Sequence, residues 1–273
     1  MGERGTNRTV NRARTLHVAR CTLHGAWCTV QALRTSADAV LSVILSPVCA
    51  ACDEPLLRPT RGPVCDDCWQ SILPLTPPLC DRCGDPLPAW RLVSSPHAFC
   101  PRCRRASPAI DRARAIGAYD GALRAIVHAL KYDGRRSLAR PLGRLMRERG
   151  ADILSGATYA IPVPLHPSRR RHRGFNQAAD LARHVGIPVQ PALRRIRATP
   201  TQTGLPAARR HRNMRDAFAT TRAARQLKGA TVVLIDDVST TGATLEACAR
   251  VLKEAGVGEV RALTAARVVT SPR

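Results

Sequence analysis

Apolar positions along this chain follow two periods. From about residue 115 onward, short strand-like runs alternate with stretches in which apolar residues return every three or four positions. Ala115–Tyr119 reads as a strand, and Leu123, Ile126, Val127 and Leu130 then fall on one helical face. Leu138, Leu142, Leu145 and Met146 repeat at helical spacing, Tyr159–Pro164 is a strand broken by prolines, and a helix is predicted from about Asn176 to His184. Val189–Leu193 and Ala217–Thr220 are candidate strands flanking a Pro-, Gly- and Arg-bearing stretch from Arg194 to Arg215. The chain closes with strand Thr231–Ile235, helix Ala243–Ala255, a glycine turn and strand Val260–Thr264; Cys248 reads as core. This order predicts an α/β fold, a parallel sheet flanked by helices, with a ligand outside the carboxyl ends of the strands.

Upstream the pattern changes. Ala39 to Leu45 is almost continuously apolar and predicts a short helix within Ala37–Val48 that packs on the neighbouring downstream segment and cannot span a bilayer. Residues 1–36 are basic and weakly periodic; they read as a flexible arm, or as residues ahead of the true start. Cys21, His24 and Cys28 lie there without a fourth partner nearby and read as free side chains. Cys49/Cys52, Cys65/Cys68, Cys80/Cys83 and Cys100/Cys103 form four Cys-x2-Cys pairs separated by 12, 11 and 16 residues. Two such knuckles complete one tetrahedral Zn²⁺ site, so the eight thiols make two structural sites. Neighbouring pairs and alternating pairs satisfy the spacing equally. A disulfide framework would need a secreted context, and a thioredoxin-type redox pair only one such motif.

Val232-Val233-Leu234-Ile235 is an apolar run that ends on Asp236 and Asp237. Strand side chains alternate, so both acids serve one site only if the backbone turns at one of them. Ser239, Thr240, Thr241 and Gly242 supply the turn, and Ala243, Thr244 and Leu245 open a helix whose free N–H groups favour an anion. Two carboxylates beside a phosphate repel it unless the ligand also carries hydroxyls, and a bound Mg²⁺ can offset their charge. A sugar phosphate meets that description. The bland alternative is an ordinary capped corner.

Composition adds one constraint. The formal charge is +23, and residues 161–230 hold fifteen Arg or Lys against two Asp. Such a surface attracts polyanions, nucleic acid above all; an arginine-rich composition accounts for it equally. With three each of Trp, Tyr and Phe, the core must be aliphatic. No membrane span and no leader pattern is present, which predicts a cytoplasmic chain.

The apolar-Asp236-Asp237-Ser239-Thr240-Thr241-Gly242-Ala243-Thr244 segment resembles the phosphoribosyl-diphosphate (PRPP) signature of type I phosphoribosyltransferases. With Lys131-Tyr132-x-Gly134, Pro162-Val163-Pro164-Leu165, Arg173-Gly174-Phe175-Asn176-Gln177, Gln202-Thr203, Arg209 with Asn213, and Ala217-Phe218, it is similar to the ordered motif set of the ComF/GntX family. These are competence-associated phosphoribosyltransferases with an N-terminal zinc-binding region. The resemblance covers residues 37–268 and implies a double zinc ribbon over 37–104 and a transferase domain over 105–273. It implies Mg²⁺ and PRPP as ligands, with Asp236 and Asp237 on the ribose and Ser239 to Thr244 on the 5′-phosphate. Val163 and Pro164 would form the pyrophosphate loop, and Arg173 and Lys131 would neutralise the leaving group. A mobile hood at 194–215 would exclude water. The acceptor stays open among nucleobase, water and nucleic acid. Implied partners are single-stranded DNA or other nucleic acid and proteins of the competence machinery. Two rivals stand beside the enzyme: a DNA-binding competence factor whose PRPP site is regulatory, and a zinc-ribbon adaptor that docks a protein.

Overall fold

The computed structural model describes residues 33–88, 98–105, 108–197 and 216–269. Cys21, His24, Cys28, His97, most of the 194–215 stretch and the motif residues Gln202, Thr203, Arg209 and Asn213 lie outside them. By mutual contact the chain divides into two compact units, residues 1–49 with 53–65, and residues 50–52 with 66–273.

In the first unit, helix α1 covers 33–45. Its apolar run does not pack inward as the pattern predicts: Val43, Ile44 and Leu45 are exposed and Asp38 is the buried position. The helix is anchored instead by polar contacts. Asp38 accepts from Thr60 N at 2.8 Å, and Ser42 Oγ donates to Leu56 O at 3.1 Å.

The second unit is α/β, as the alternation predicts. After the short helices α2 (Asp66–Gln70) and α3 (Pro101–Arg105) come β1 (Arg112–Ala115), α4 (Gly121–Tyr132), α5 (Ala139–Arg149), α6 (Ala151–Leu154) and β2 (Tyr159–Pro162). Then come α7 (Pro167–Arg173), α8 (Gln177–Ala182), β3 (Leu193–Arg195), β4 (Phe218–Thr220), β5 (Thr231–Ser239), α9 (Ala243–Glu254) and β6 (Glu259–Arg267). Four strands form a parallel sheet in the order β1-β6-β5-β2, and β3 and β4 pair antiparallel beside it. The core is aliphatic, as so few aromatics require: Val232 to Ile235, Leu245, Cys248, Leu252, Val260 and Leu263 are all buried.

Several boundaries differ from the sequence reading. β1 lies upstream of 115–119, because Arg112 and Arg114 are neutralised, Arg112 by Asp152 at 2.8 Å and Arg114 by the carbonyls of Cys80 and Asp81, while Ala113 packs inward. Arg169 to Arg173, between the Tyr159–Pro164 strand and the helix read from Asn176, belong to a further helix, α7, where Pro167 occupies the first turn and His166 caps it. β5 continues through both acids to Ser239, because β6 runs beside it in register as far as Arg267.

That overrun positions the site. β2 stops opposite Ile235, with Val163 N donating to Ile235 O at 3.0 Å, so residues 236–239 leave one edge of β5 open at the carboxyl end of the sheet. A parallel sheet with its topological switch here binds ligands in such a crevice. Close packing supports the strand at its other end: a Cβ at Gly258 would lie 2.6 Å from Gly229 O. Gly258→Ala is expected to lower stability by about 1–3 kcal/mol, measured as a reduced urea midpoint with an unchanged slope.

Candidate functional site

Asp237 is 3% exposed, and its charge is met by Lys131 at the end of α4, with Nζ 2.9 Å from Oδ1. The same oxygen accepts from Val238 N at 2.6 Å. Burial alone would lower the Lys131 ammonium, but the Asp237 charge and hydrogen bond, with Asp236 behind them, hold it above its ordinary value. Asp237 Oδ2 is buried with no hydrogen-bond partner among the described residues. An ionised oxygen in that state is costly, so a ligand hydroxyl or a cation is the expected partner.

Asp236 is placed differently. Because β5 does not turn at the acids, it projects to the α9 side, where its charge acts on Arg195 of β3 and on the Cys248 thiol. Its carboxyl is pushed up to about 8, first by burial and then by the neighbouring Asp237, with Lys131 only partly offsetting both. At neutral pH the pair therefore holds one extra proton. The expected turn at the acids is absent: they lie within β5, at its open end.

The 239–244 loop comes next. Ser239 is buried and its Oγ has no partner, Thr240 is exposed, and Gly242 takes φ = 76°, a left-handed conformation that suits glycine. Gly242 has no side chain with which to cap α9, a twelve-residue helix; Thr241 Oγ1 accepts from Ala243 N at 3.4 Å, and the positive end of the helix dipole faces the loop. The 163–164 loop lies across the open edge. Asn176 Nδ2 donates to Val163 O at 3.1 Å and the Asn176 oxygen caps α8, which fixes that loop's exit. Arg173 ends α7, donates to Gln177 Oε1 at 2.7 Å, and lies 5.3 Å over the Tyr132 ring. A cavity of about 490 Å³ beside it is lined by Pro164, Arg170, Arg171, Arg194 and Arg195 among others.

The structure thus gathers Asp236, Asp237, Lys131, Val163, Pro164, Arg173 and Ser239 to Thr244 at one end of the sheet. Of the other cations in the 131–136 turn, Arg136 is committed elsewhere, to Asp180 at 2.8 and 3.0 Å. Sequence reasoning passed over Arg195, the buried one of two adjacent arginines in β3, and Arg102, which donates to Thr241 O at 2.5 Å from 139 residues away.

The cysteines form two tetrads of neighbouring pairs, Cys49/Cys52 with Cys65/Cys68 and Cys80/Cys83 with Cys100/Cys103, the sulfurs of each within 4.8 Å of one another. Cys65 N donates to Cys49 Sγ at 3.4 Å and Cys100 N to Cys80 Sγ at 3.3 Å, contacts that favour thiolate. In the second tetrad, hydrogen bonds from Cys100 and its neighbours hold the Cys80 thiol far below its usual value, while the Cys103 thiol is pushed far above by the same crowding. Four thiols this close ionise together only around a cation, and the all-sulfur donor set fits Zn²⁺ in a structural role.

The comparisons with known proteins agree with this geometry. The phosphoribosyl transferase domain family matches residues 171–271, and the double zinc ribbon domain family matches residues 40–104. The chain is 30% identical over 221 residues to competence protein F of Haemophilus influenzae, covering 77% of this chain and 93% of that protein. The chain belongs to the competence protein F family. It is also 32% identical to the DNA utilization protein YhgH of Salmonella typhimurium, over 78% of this chain and 94% of that one. The match to competence protein ComFC of Bacillus subtilis is 26% identical, over 74% and 82%. Like this family, the chain joins a type I phosphoribosyltransferase domain to a zinc ribbon. Among the described residues no helix is long and apolar enough to cross a membrane.

These groups set two expected outcomes. Metal analysis of the full chain should give two Zn²⁺ per molecule, with Cys49→Ser and Cys103→Ser each removing one; a single shared loss would refute the tetrads. Asp236 binds a proton in the folded state that the unfolded chain releases above about pH 4, so its contribution to stability falls as pH rises towards 8. Asp236→Asn should therefore raise the melting temperature of the ligand-free protein at pH 7–8, by roughly 2–4 °C per kcal/mol relieved, and change it little at pH 4.

Proposed function

We propose that this protein binds PRPP with Mg²⁺ at the carboxyl end of β5 and displaces pyrophosphate from its anomeric carbon. The observation that carries the reading is the buried Asp237 oxygen, without a hydrogen-bond partner among the described residues, beside the N-terminus of α9. One end offers acceptors for ribose hydroxyls, and the other offers N–H donors for a 5′-phosphate. In this reading Asp236 and Asp237 hold the ribose and favour the positive charge that grows on the ring as the C1–O bond to pyrophosphate breaks. The loop from Ser239 to Thr244 anchors the phosphate and so fixes geometry. Val163, Pro164 and Arg173 face the departing pyrophosphate. Lys131 counters Asp237 until the ligand arrives and then adds positive charge near the leaving group. Mg²⁺, when bound with the ligand, would be held near the Asp236 and Asp237 carboxylates and would supply charge neutralisation for the departing diphosphate. The incoming nucleophile is a nucleobase, water or a nucleic acid, and its bond to C1 replaces the one lost.

Relatives named for competence and for DNA utilization support a role in the uptake or use of DNA. A second reading has its own observation: the arginines of α7 and β3 line one wide cavity, more positive charge than a pyrophosphate needs. In that reading the protein holds a nucleic-acid backbone, single-stranded DNA among the candidates, and PRPP regulates the grip.

Pyrophosphate release from Mg-PRPP over a panel of bases and oligonucleotides separates the two. Release by the wild type and its loss in Asp237→Asn support the enzyme. No release alongside intact DNA binding would leave the regulatory reading. Asp237→Asn should weaken PRPP binding by an order of magnitude or more, by calorimetry, with both zinc ions retained. DNA affinity, if the basic cavity carries it, should fall with salt at a slope near −0.7 per phosphate contacted on single strands.

A further inference from the structure

The second cysteine tetrad is built into the same compact unit as the sheet. Ala113 N donates to Arg82 O at 2.6 Å, and Arg114 Nη1 reaches the carbonyls of Cys80 and Asp81 at 3.3 and 3.1 Å. From the end of β6, Arg267 is buried and donates to Asp85 Oδ1 at 2.5 Å and to Cys83 O at 3.0 Å. Both strands on the far side of β5 are thus bonded to the ribbon backbone. Val268, next to Arg267, donates from N to Ser239 O at 2.9 Å, which ties the start of the 239–244 loop to the same anchor.

Arg102 completes the link. It sits inside the second knuckle, between Cys100 and Cys103, on α3. Its Nη1 donates to Thr241 O at 2.5 Å, and its Nη2 lies 3.7 Å from Asp85, the carboxylate already held by Arg267. Thr241 is the residue before Gly242, so the orientation of its carbonyl sets the peptide plane that leads into the left-handed glycine and the first turn of α9. A charged donor there both fixes that plane and places a cation behind the N–H groups that face the loop's ligand.

We infer that Arg102 is a positioning residue for the sugar-phosphate loop, and that metal occupancy of the second ribbon thereby sets how tightly the loop binds a phosphate monoester. The inference rests on the PRPP reading of that loop. Four sulfur–metal bonds fix the backbone on both sides of Arg102, and without them the guanidinium loses its fixed base. Linkage then runs both ways. Zinc in the second tetrad strengthens phosphate binding, and phosphate binding strengthens the hold on zinc by the same factor. The ribbon is in this sense the rear wall of the transferase site. The bonds to β1, β6 and the loop described above come from Cys80 to Arg102, which makes the second tetrad the one whose occupancy the loop is expected to sense.

Calorimetry on the full zinc-loaded chain tests this with three probes: Mg-PRPP, ribose 5-phosphate and Mg-pyrophosphate. Arg102→Ala is expected to weaken PRPP and ribose 5-phosphate on the order of tenfold, to leave pyrophosphate unchanged, and to keep two zinc ions. Arg102→Lys, which can still donate to Thr241 O, should recover part of the loss, a rescue that a merely destabilised fold would not show. Hydrogen exchange of the 239–245 segment in the ligand-free protein gives a reading that needs no ligand: exchange should speed up in Arg102→Ala and in Cys103→Ser but not in Cys49→Ser. Unchanged exchange in Arg102→Ala, or an equal loss of all three ligands, overturns the coupling. A wild type that binds neither PRPP nor ribose 5-phosphate overturns the PRPP reading, and the exchange comparison still decides the coupling.

Discussion

A carboxylate buried at the end of a parallel strand is the constraint on which this site depends. Asp237 is almost inaccessible, and a buried charge without a counter-charge is costly. Lys131 supplies that charge, and to deliver it α4 must end beside β5. The consequence extends to the rest of the crevice: Tyr132, the next residue, carries Arg173 on its ring, and Arg173 bonds to Gln177 in the first turn of α8, next to Asn176, which holds the 163–164 loop. One ion pair thus registers the strand with the acids, the helix with the lysine and the loop across the open edge. The second acid is placed less favourably. Burial, and then the charge of Asp237, push the Asp236 carboxyl up to about 8, and Lys131 only partly offsets them.

This asymmetry means that the ligand-free site stores unfavourable electrostatics. One acid is neutral, and the other has an oxygen with nothing to accept from. A ligand bringing hydroxyl donors and a divalent ion satisfies both, so binding relieves a cost that folding incurred. Such a strand end makes a poor structural element and a good binding one. The Asp-Asp-x-Ser-Thr-Thr-Gly corner does carry local caps, Thr241 Oγ1 accepting from Ala243 N among them, but a plain capped turn gives no account of the buried Asp237 Oδ2 and Ser239 Oγ, which have no hydrogen-bond partner among the described residues.

Much of this was legible in the chain. The alternation of periods gave the class of the sheet, and four Cys-x2-Cys pairs gave two metal sites, because both signals are local. Pairing of the cysteines was not legible, since spacing treats neighbouring and alternating pairs alike and only the fold brings particular knuckles together. The extent of β5 was missed for a related reason: Asp and Ser read as turn formers, but β6 offers a ladder of partners as far as Arg267, and pairing overrode propensity. α1 misled in the opposite sense. Its apolar run promised a buried face, whereas a backbone N–H at Thr60 and a carbonyl at Leu56 are what hold it.

Arg102 marks the limit of reading a chain residue by residue. Between two zinc-ligand cysteines, an arginine is unremarkable in sequence, because knuckle positions tolerate many residues. Its meaning arises only from the close approach of the second ribbon to β1 and β6, which brings a residue near 100 against the carbonyl of one near 240. A division into an N-terminal ribbon region and a C-terminal transferase, natural from composition, therefore cuts through a hydrogen-bonded structure. By contact, the second tetrad belongs with the sheet. A metal site is usually judged by whether a small domain folds without it. Here the more informative quantity is what the metal does to a loop that contributes no ligand to it.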